Sequence, residues 1–78
     1  MKVNSKLRIL IAQKELVEGR TLGIRTIASE ADTSVSTVQG LLNNKMKRVP
    51  LDDLGNLCAY LNCQVGDILV YSSDAPQK

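Results

Sequence analysis

Positions 33 to 39 hold Thr33, Ser34, Ser36, Thr37 and Gln39, and positions 45 to 48 add Lys45, Lys47 and Arg48. Hydroxyls and a carboxamide both donate and accept hydrogen bonds without carrying charge, so the first group suits a polar surface read by direction. Three cations within four positions suit a polyanion lying beside them. Reaction chemistry has no comparable support. The chain contains no His to act as a general base, and it shows no phosphate-binding glycine loop, paired-carboxylate motif or nucleophile motif. Asp52-Asp53 follows Pro50 and Leu51, where it reads as negative charge at a helix start. The chain is therefore read as a binding protein and not an enzyme. Helix capping alone accounts for one or two of the four hydroxyls between Thr33 and Thr37, and the excess reads as a contact surface.

Two short helical patterns must position these groups. Ile24, Ile27, Ala28 and Ala31 fall at i, i+3, i+4 and i+7, the apolar stripe of one helix. Ala28 and Ala31 are small, which suits a second helix crossing at close range. Asp32 tolerates a left-handed backbone, and Ser34 after it is the expected N-cap of the next helix. Val38, Leu41 and Leu42 then lie on one side, leaving Val35, Ser36, Thr37, Gln39 and Gly40 toward the start of that helix and its other faces. Two helices around a tight turn are the device by which a small protein inserts a helix into the major groove of DNA.

Here the segments IRTIASEADTSVSTVQGLLN and PLDDLGNLCAYLNCQVGDILVY, within a match running from about Leu7 to Tyr71, resemble the phage-repressor and Cro-type helix-turn-helix transcriptional regulators. The resemblance rests on the Ile27-Ala28 pair, the turn at Asp32, Ser34 opening the recognition helix and Val38 as its buried aliphatic. It continues through the aliphatic-Cys pair Leu57-Cys58, a helix end at Asn62, and Asp67 before Ile68-Leu69. It implies an all-α fold, a compact lambda-repressor-like bundle of about five short helices with a central helix-turn-helix. It also implies a DNA-binding regulator, a repressor in the reading adopted here, whose recognition helix spans about Val35 to Asn43. Two positions depart from the pattern. Ile24 stands where Gln often contacts phosphate, and Gly40 stands where a side chain commonly reaches a base. The expected base-contacting set is Ser34, Val35, Ser36, Thr37, Gln39 and Gly40, with Val35 against a thymine methyl and Gln39 covering the edge that Gly40 leaves open. The expected phosphate-contacting set is Arg25, Thr26, Asn43, Asn44, Lys45, Lys47 and Arg48.

The rest of the chain bounds these expectations. With 78 residues, of which 44% are hydrophobic and only Tyr60 and Tyr71 are aromatic, there is room for one modest aliphatic core. A domain over residues 1–71 followed by a polar, frayed tail over 72–78 is expected. Net charge is only +2, but residues 1–50 hold nine Lys and Arg against four acids, whereas residues 51–77 hold four Asp and no cation. An N-terminal helix is read from Leu7, Leu10 and Ile11, less regularly Leu16 and Val17, capped by Asn4 or Ser5, with Gly19 to Gly23 as a surface connection. A helix from Pro50 carries Leu51, Leu54, Leu57, Cys58 and Leu61. Asn62 closes it, and Gln64 with Asp67 caps a last short helix. Cys58 and Cys63 read as small core hydrophobes, with redox sensing as a minor alternative, and neither metal nor cofactor is expected. The apolar run LRILIA is broken by Arg8 and lacks the form of a signal peptide, so a cytoplasmic, nucleoid-associated protein is expected. Duplex DNA is the expected partner, bound by a homodimer and without a membrane. An antitoxin-like module that grips a protein partner is the alternative.

Overall fold

The computed structural model describes residues 2–72, with the side chains of residues 2 and 72 left aside; the tail expected over 72–78 lies almost wholly outside them. The chain runs β1 (Lys2–Ser5), α1 (Leu7–Glu18), α2 (Ile24–Ala31), α3 (Val35–Asn43), α4 (Leu51–Leu61), α5 (Val65–Ile68) and β2 (Leu69–Ser72). The five-helix expectation holds. It is supplemented by a small antiparallel sheet in which β1 pairs β2, Val3 opposite Tyr71 and Ser5 opposite Leu69. Leu69 and Val70, directly after the last helix, open this second strand.

Four helices end in the same way. Gly19, Asp32, Asn44 and Asn62 adopt left-handed backbones with φ of 68°, 61°, 60° and 54°. The next residue then donates its N–H to the carbonyl five positions back: Arg20 to Glu15, Thr33 to Ala28, Lys45 to Gly40 and Cys63 to Cys58, at 2.9–3.3 Å. This closure satisfies carbonyls that a helix end leaves free and turns the chain sharply. Only the first of the four is glycine; Asp and Asn tolerate the left-handed region because their short polar side chains bond locally. Sharp stops let five helices fit in about seventy residues.

The core is wholly aliphatic. Leu7, Ile11, Ile27, Ala28, Ala31, Val38, Leu41, Leu54, Leu57 and Ile68 are buried, and Leu22, from the connection expected on the surface, joins them. Its N–H donates to Glu15 Oε2 at 2.7 Å, which pins the connection to α1. Leu16 and Val17 do not belong to this core: they are 84% and 86% exposed, because the buried stripe of α1 runs through Leu7 and Ile11. Neither Asn4 nor Ser5 is the N-cap of α1. Lys6 holds that position, both expected residues lie in β1, and Ser5 Oγ accepts from Leu7 N–H at 3.2 Å. Ile24, at the start of α2, packs part-buried against the core.

Candidate nucleic-acid interface

The segment α2–turn–α3 forms as its sequence pattern requires. Ala28 and Ala31 are buried on α2, and Val38 and Leu41 are buried on α3. Small side chains on the first helix allow the second to cross closely. Asp32 makes the turn, and Asn56 of α4 fixes it by donating Nδ2–H to the Asp32 carbonyl at 2.9 Å. Ser34 caps α3: its Oγ accepts from Thr37 N–H at 3.1 Å. The cap satisfies one of the free N–H groups of the first turn.

Behind that cap stands an acid from another helix. Thr37 Oγ1 donates to Asp53 Oδ2 at 2.7 Å, while Ser34 Oγ and Thr37 Oγ1 are 2.8 Å apart. Thr37 gives its single hydroxyl proton to Asp53, so Ser34 is the donor to Thr37 Oγ1. Asp53 Oδ2 also lies 3.4 Å from Ser34 Oγ and 3.5 Å from Ser34 N. Protons therefore run in one direction, from Ser34 through Thr37 to Asp53. Thr37 is only 2% exposed, so it leaves the expected base-contacting set and becomes a support of the helix start. Ser34 is exposed, but its hydroxyl proton is directed inward, so toward a base its Oγ can only accept.

Gly40 also leaves that set. A Cβ built there would overlap Met46 Cγ and come within 2.9 Å of Met46 Sδ, so the position faces the segment that follows α3. Glycine accommodates this close approach, and a side chain there would be directed at Met46. Asn44 ties the end of α3 to β1: its Oδ1 accepts from Ser5 N–H at 3.0 Å and its Nδ2 donates one hydrogen to Asn4 Oδ1 at 3.1 Å, which leaves the second N–H of this exposed amide for another acceptor.

What remains outward is a coherent stripe. Val35, Ser36, Gln39 and Asn43 are exposed on α3, opposite the buried Thr37, Val38 and Leu41. Their spacing of i, i+4 and i+8 places Val35, Gln39 and Asn43 along one helix face. Arg25 is exposed at the start of α2 with Thr26 half-buried beside it, and Lys45, Lys47 and Arg48 are exposed directly after α3. A helix face of methyl, hydroxyl and carboxamide groups bordered by cations can meet base edges while holding the flanking polyanion.

A family model for the Cro/C1-type HTH DNA-binding domain matches residues 6–74, nearly the whole chain. The chain belongs to that family. It is also 29% identical over 68 residues to an uncharacterized HTH-type transcriptional regulator, YozG, of Bacillus subtilis, a match covering 87% of this chain and 81% of the relative. Within this Cro/C1-type domain, α3 is the second helix of the motif and Ser34 its cap.

The opposite end of α2 is held by charge. The Arg20 guanidinium grips Glu30 through two bonds of 2.8 and 2.7 Å and reaches Glu18 at 2.8 Å. Tyr60 O–H donates to Glu30 Oε1 at 2.7 Å, and Lys14 Nζ lies 4.6 Å from the centre of the Tyr60 ring. Arg20, then the Tyr60 hydroxyl, hold the Glu30 carboxyl down to about 2. Burial first, and the Glu30 bond second, push the Tyr60 phenol up to about 12. At the other end of α3, Arg8 donates Nη2–H to the Leu42 carbonyl at 3.2 Å, placing a cation where the helix dipole is negative.

Asp53, Asn56 and Arg8 were not singled out as supports by the sequence. Each acts across 19 to 34 positions of chain or, for Thr37 and Asp53, 16, so no local pattern connects donor with acceptor. Cys58 and Cys63 are free thiols packed against the core, and burial, followed by the neighbouring Cys58, pushes the Cys63 thiol up. That favours the inert thiol over the thiolate. Among the described residues no three His, Cys, Asp or Glu side chains are grouped to hold a metal ion, and no helix is long and apolar enough to cross a membrane.

Proposed function

We propose that this Cro/C1-type domain binds specific duplex sites as a homodimer and represses transcription by occupying them. The observation that carries the reading is the stripe Val35, Ser36, Gln39 and Asn43, exposed on a helix whose other face and first turn are fixed by the protein. With α3 in the major groove and its N-terminal end nearest the bases, Val35 meets a thymine methyl, Ser36 bonds a base edge and Gln39 reads a further edge. Arg25, Thr26, Lys45, Lys47 and Arg48 hold phosphates on either side, with Asn43 at the boundary between the two kinds of contact. Three side chains are a narrow readout. Each mismatched pair costs about 1–3 kcal/mol, so a single half-site discriminates modestly and two copies are needed to choose one site in a genome. A two-fold dimer would place its half-sites about one helical turn apart. Occupancy of a promoter is sufficient for repression, and the Bacillus relative described as a transcriptional regulator supports regulation as the outcome.

Two substitutions test the division of roles. Ser36→Ala should relax preference at one base-pair position and leave binding to unrelated duplexes unchanged. Arg48→Ala should weaken all duplexes alike and reduce the slope of log affinity against log salt by about one. Both proteins are titrated against matched and scrambled duplexes by fluorescence anisotropy. If both substitutions produce the same pattern, the assignment of Ser36 to bases and Arg48 to phosphate is wrong.

A further inference from the structure

Asp53 lies in the first turn of α4, outside the helix-turn-helix, yet its carboxylate receives the most buried hydroxyl of the recognition helix. We propose that Asp53 is a positioning residue for base reading, which rests on the proposed function above: it fixes the first turn of α3, so that Val35 and Ser36 reach the bases in one orientation.

The geometry supplies the reason. In a helix each residue is rotated by about 100° from the last, so the orientation of Thr37 determines those of Val35 and Ser36 in the same turn. Thr37 is buried and donates at 2.7 Å to an acceptor on a different helix, and Ser34, the cap, donates to Thr37 at 2.8 Å. The start of α3 is thus attached to α4 by a directional chain in addition to the apolar packing of Val38 and Leu41. Removing the acceptor leaves the Thr37 hydroxyl buried with its proton unplaced. The turn then rearranges to satisfy it, and Val35 and Ser36 shift with the turn. The arrangement depends on an acceptor oxygen at this place, and the charge of the carboxylate strengthens the bond.

Thr37 provides the decisive variant, since a residue this deeply buried cannot itself touch DNA. Thr37→Val keeps the side-chain shape and removes the donor; Asp53→Ala removes the acceptor; Asp53→Asn keeps an acceptor oxygen. For each protein, affinity is measured for the sequence selected by the wild type, for duplexes changed at each base pair of the half-site, and for a scrambled duplex. Thr37→Val and Asp53→Ala should each lower the ratio of selected to scrambled affinity by about fivefold or more, on the scale of one lost base contact. They should lose preference at the same base pairs, the double variant should lose no more than either alone, and Asp53→Asn should restore most of the ratio. The salt slope should not change, because no phosphate contact is removed. The role is overturned if Thr37→Val and Asp53→Ala weaken selected and scrambled duplexes by one common factor, or leave the base preference unchanged. Circular dichroism checks the fold, and should Asp53→Ala be unfolded, Thr37→Val decides alone. A wild type that selects no sequence overturns the DNA reading and this role with it; a wild type that selects, with Thr37→Val identical to it, overturns this role only.

Discussion

Ser34 and Ser36 are chemically identical and two positions apart, yet the first donates its hydroxyl inward to Thr37 while the second faces solvent. The cap at Ser34 is legible from sequence, because a hydroxyl directly after a left-handed turn residue and before an apolar-periodic stretch has few other uses. The commitment of Thr37 is not, because it depends on an acid sixteen positions away. Gly40 gives the same lesson in the opposite sense. As a glycine inside a helix it reads as a missing contact, whereas the structure shows the space occupied by Met46. Ala usually stabilises a helix interior by about 1 kcal/mol over Gly. At this position the gain should be absent: Gly40→Ala should leave the thermal midpoint unchanged or lower it. In a Met46→Ala background the same substitution should become stabilising, and a double-mutant cycle of thermal unfolding should show coupling above about 0.5 kcal/mol. A full gain from Gly40→Ala alone would mean that Met46 moves aside freely.

At the scale of elements, helix positions follow the apolar periodicity closely, and the helix ends follow from Asp32 and Asn62. The two strands were beyond that signal. Each has four residues, too few to display an alternating pattern, and they pair across the whole length of the domain. Leu16 and Val17 misled for a related reason: apolar residues at the end of a helix resemble a continued stripe although nothing packs over them. The element contact most open to measurement is the brace on α2. Glu30 is held at about 2 in the folded protein against an ordinary 4.5, so its bonds to Arg20 and Tyr60 stabilise the fold fully above 4.5, and that stabilisation disappears as pH falls toward 2. Tyr60 is shifted from 10.0 up to about 12, so its contribution is complete below pH 10 and is lost as pH rises through 12. Thermal midpoints of the wild type and Glu30→Gln should therefore differ most between pH 5 and 9 and converge toward pH 2. The exposed position of the network makes the difference smaller at high salt. A difference independent of pH would remove the charge from this account.

For the whole molecule, an aliphatic core of eleven buried residues fixes a small scaffold. On it, nine of the ten cations fall in the first fifty residues, while the acids divide four and four, so the first fifty residues are net positive and the remainder net negative. That asymmetry is visible in the sequence and agrees with the basic segment after α3. The partner surface of a dimer is not visible there, since Val3, Leu51 and Tyr71, which remain exposed, are scattered along the chain. Light scattering behind size exclusion at micromolar concentration should give, on adding duplex, a complex with the mass of one duplex plus twice the 8.5 kDa chain mass, and a strict monomer in every condition would contradict the paired reading. The central claim is that α3 reads a DNA sequence, and selection from a labelled random duplex pool, followed by anisotropy titration across salt concentrations, tests it most directly. The account predicts an enriched two-fold symmetric sequence with half-site centres about one helical turn apart, and an affinity that falls steeply as salt rises. Undetectable binding at low salt, or binding with no sequence enriched, would contradict it.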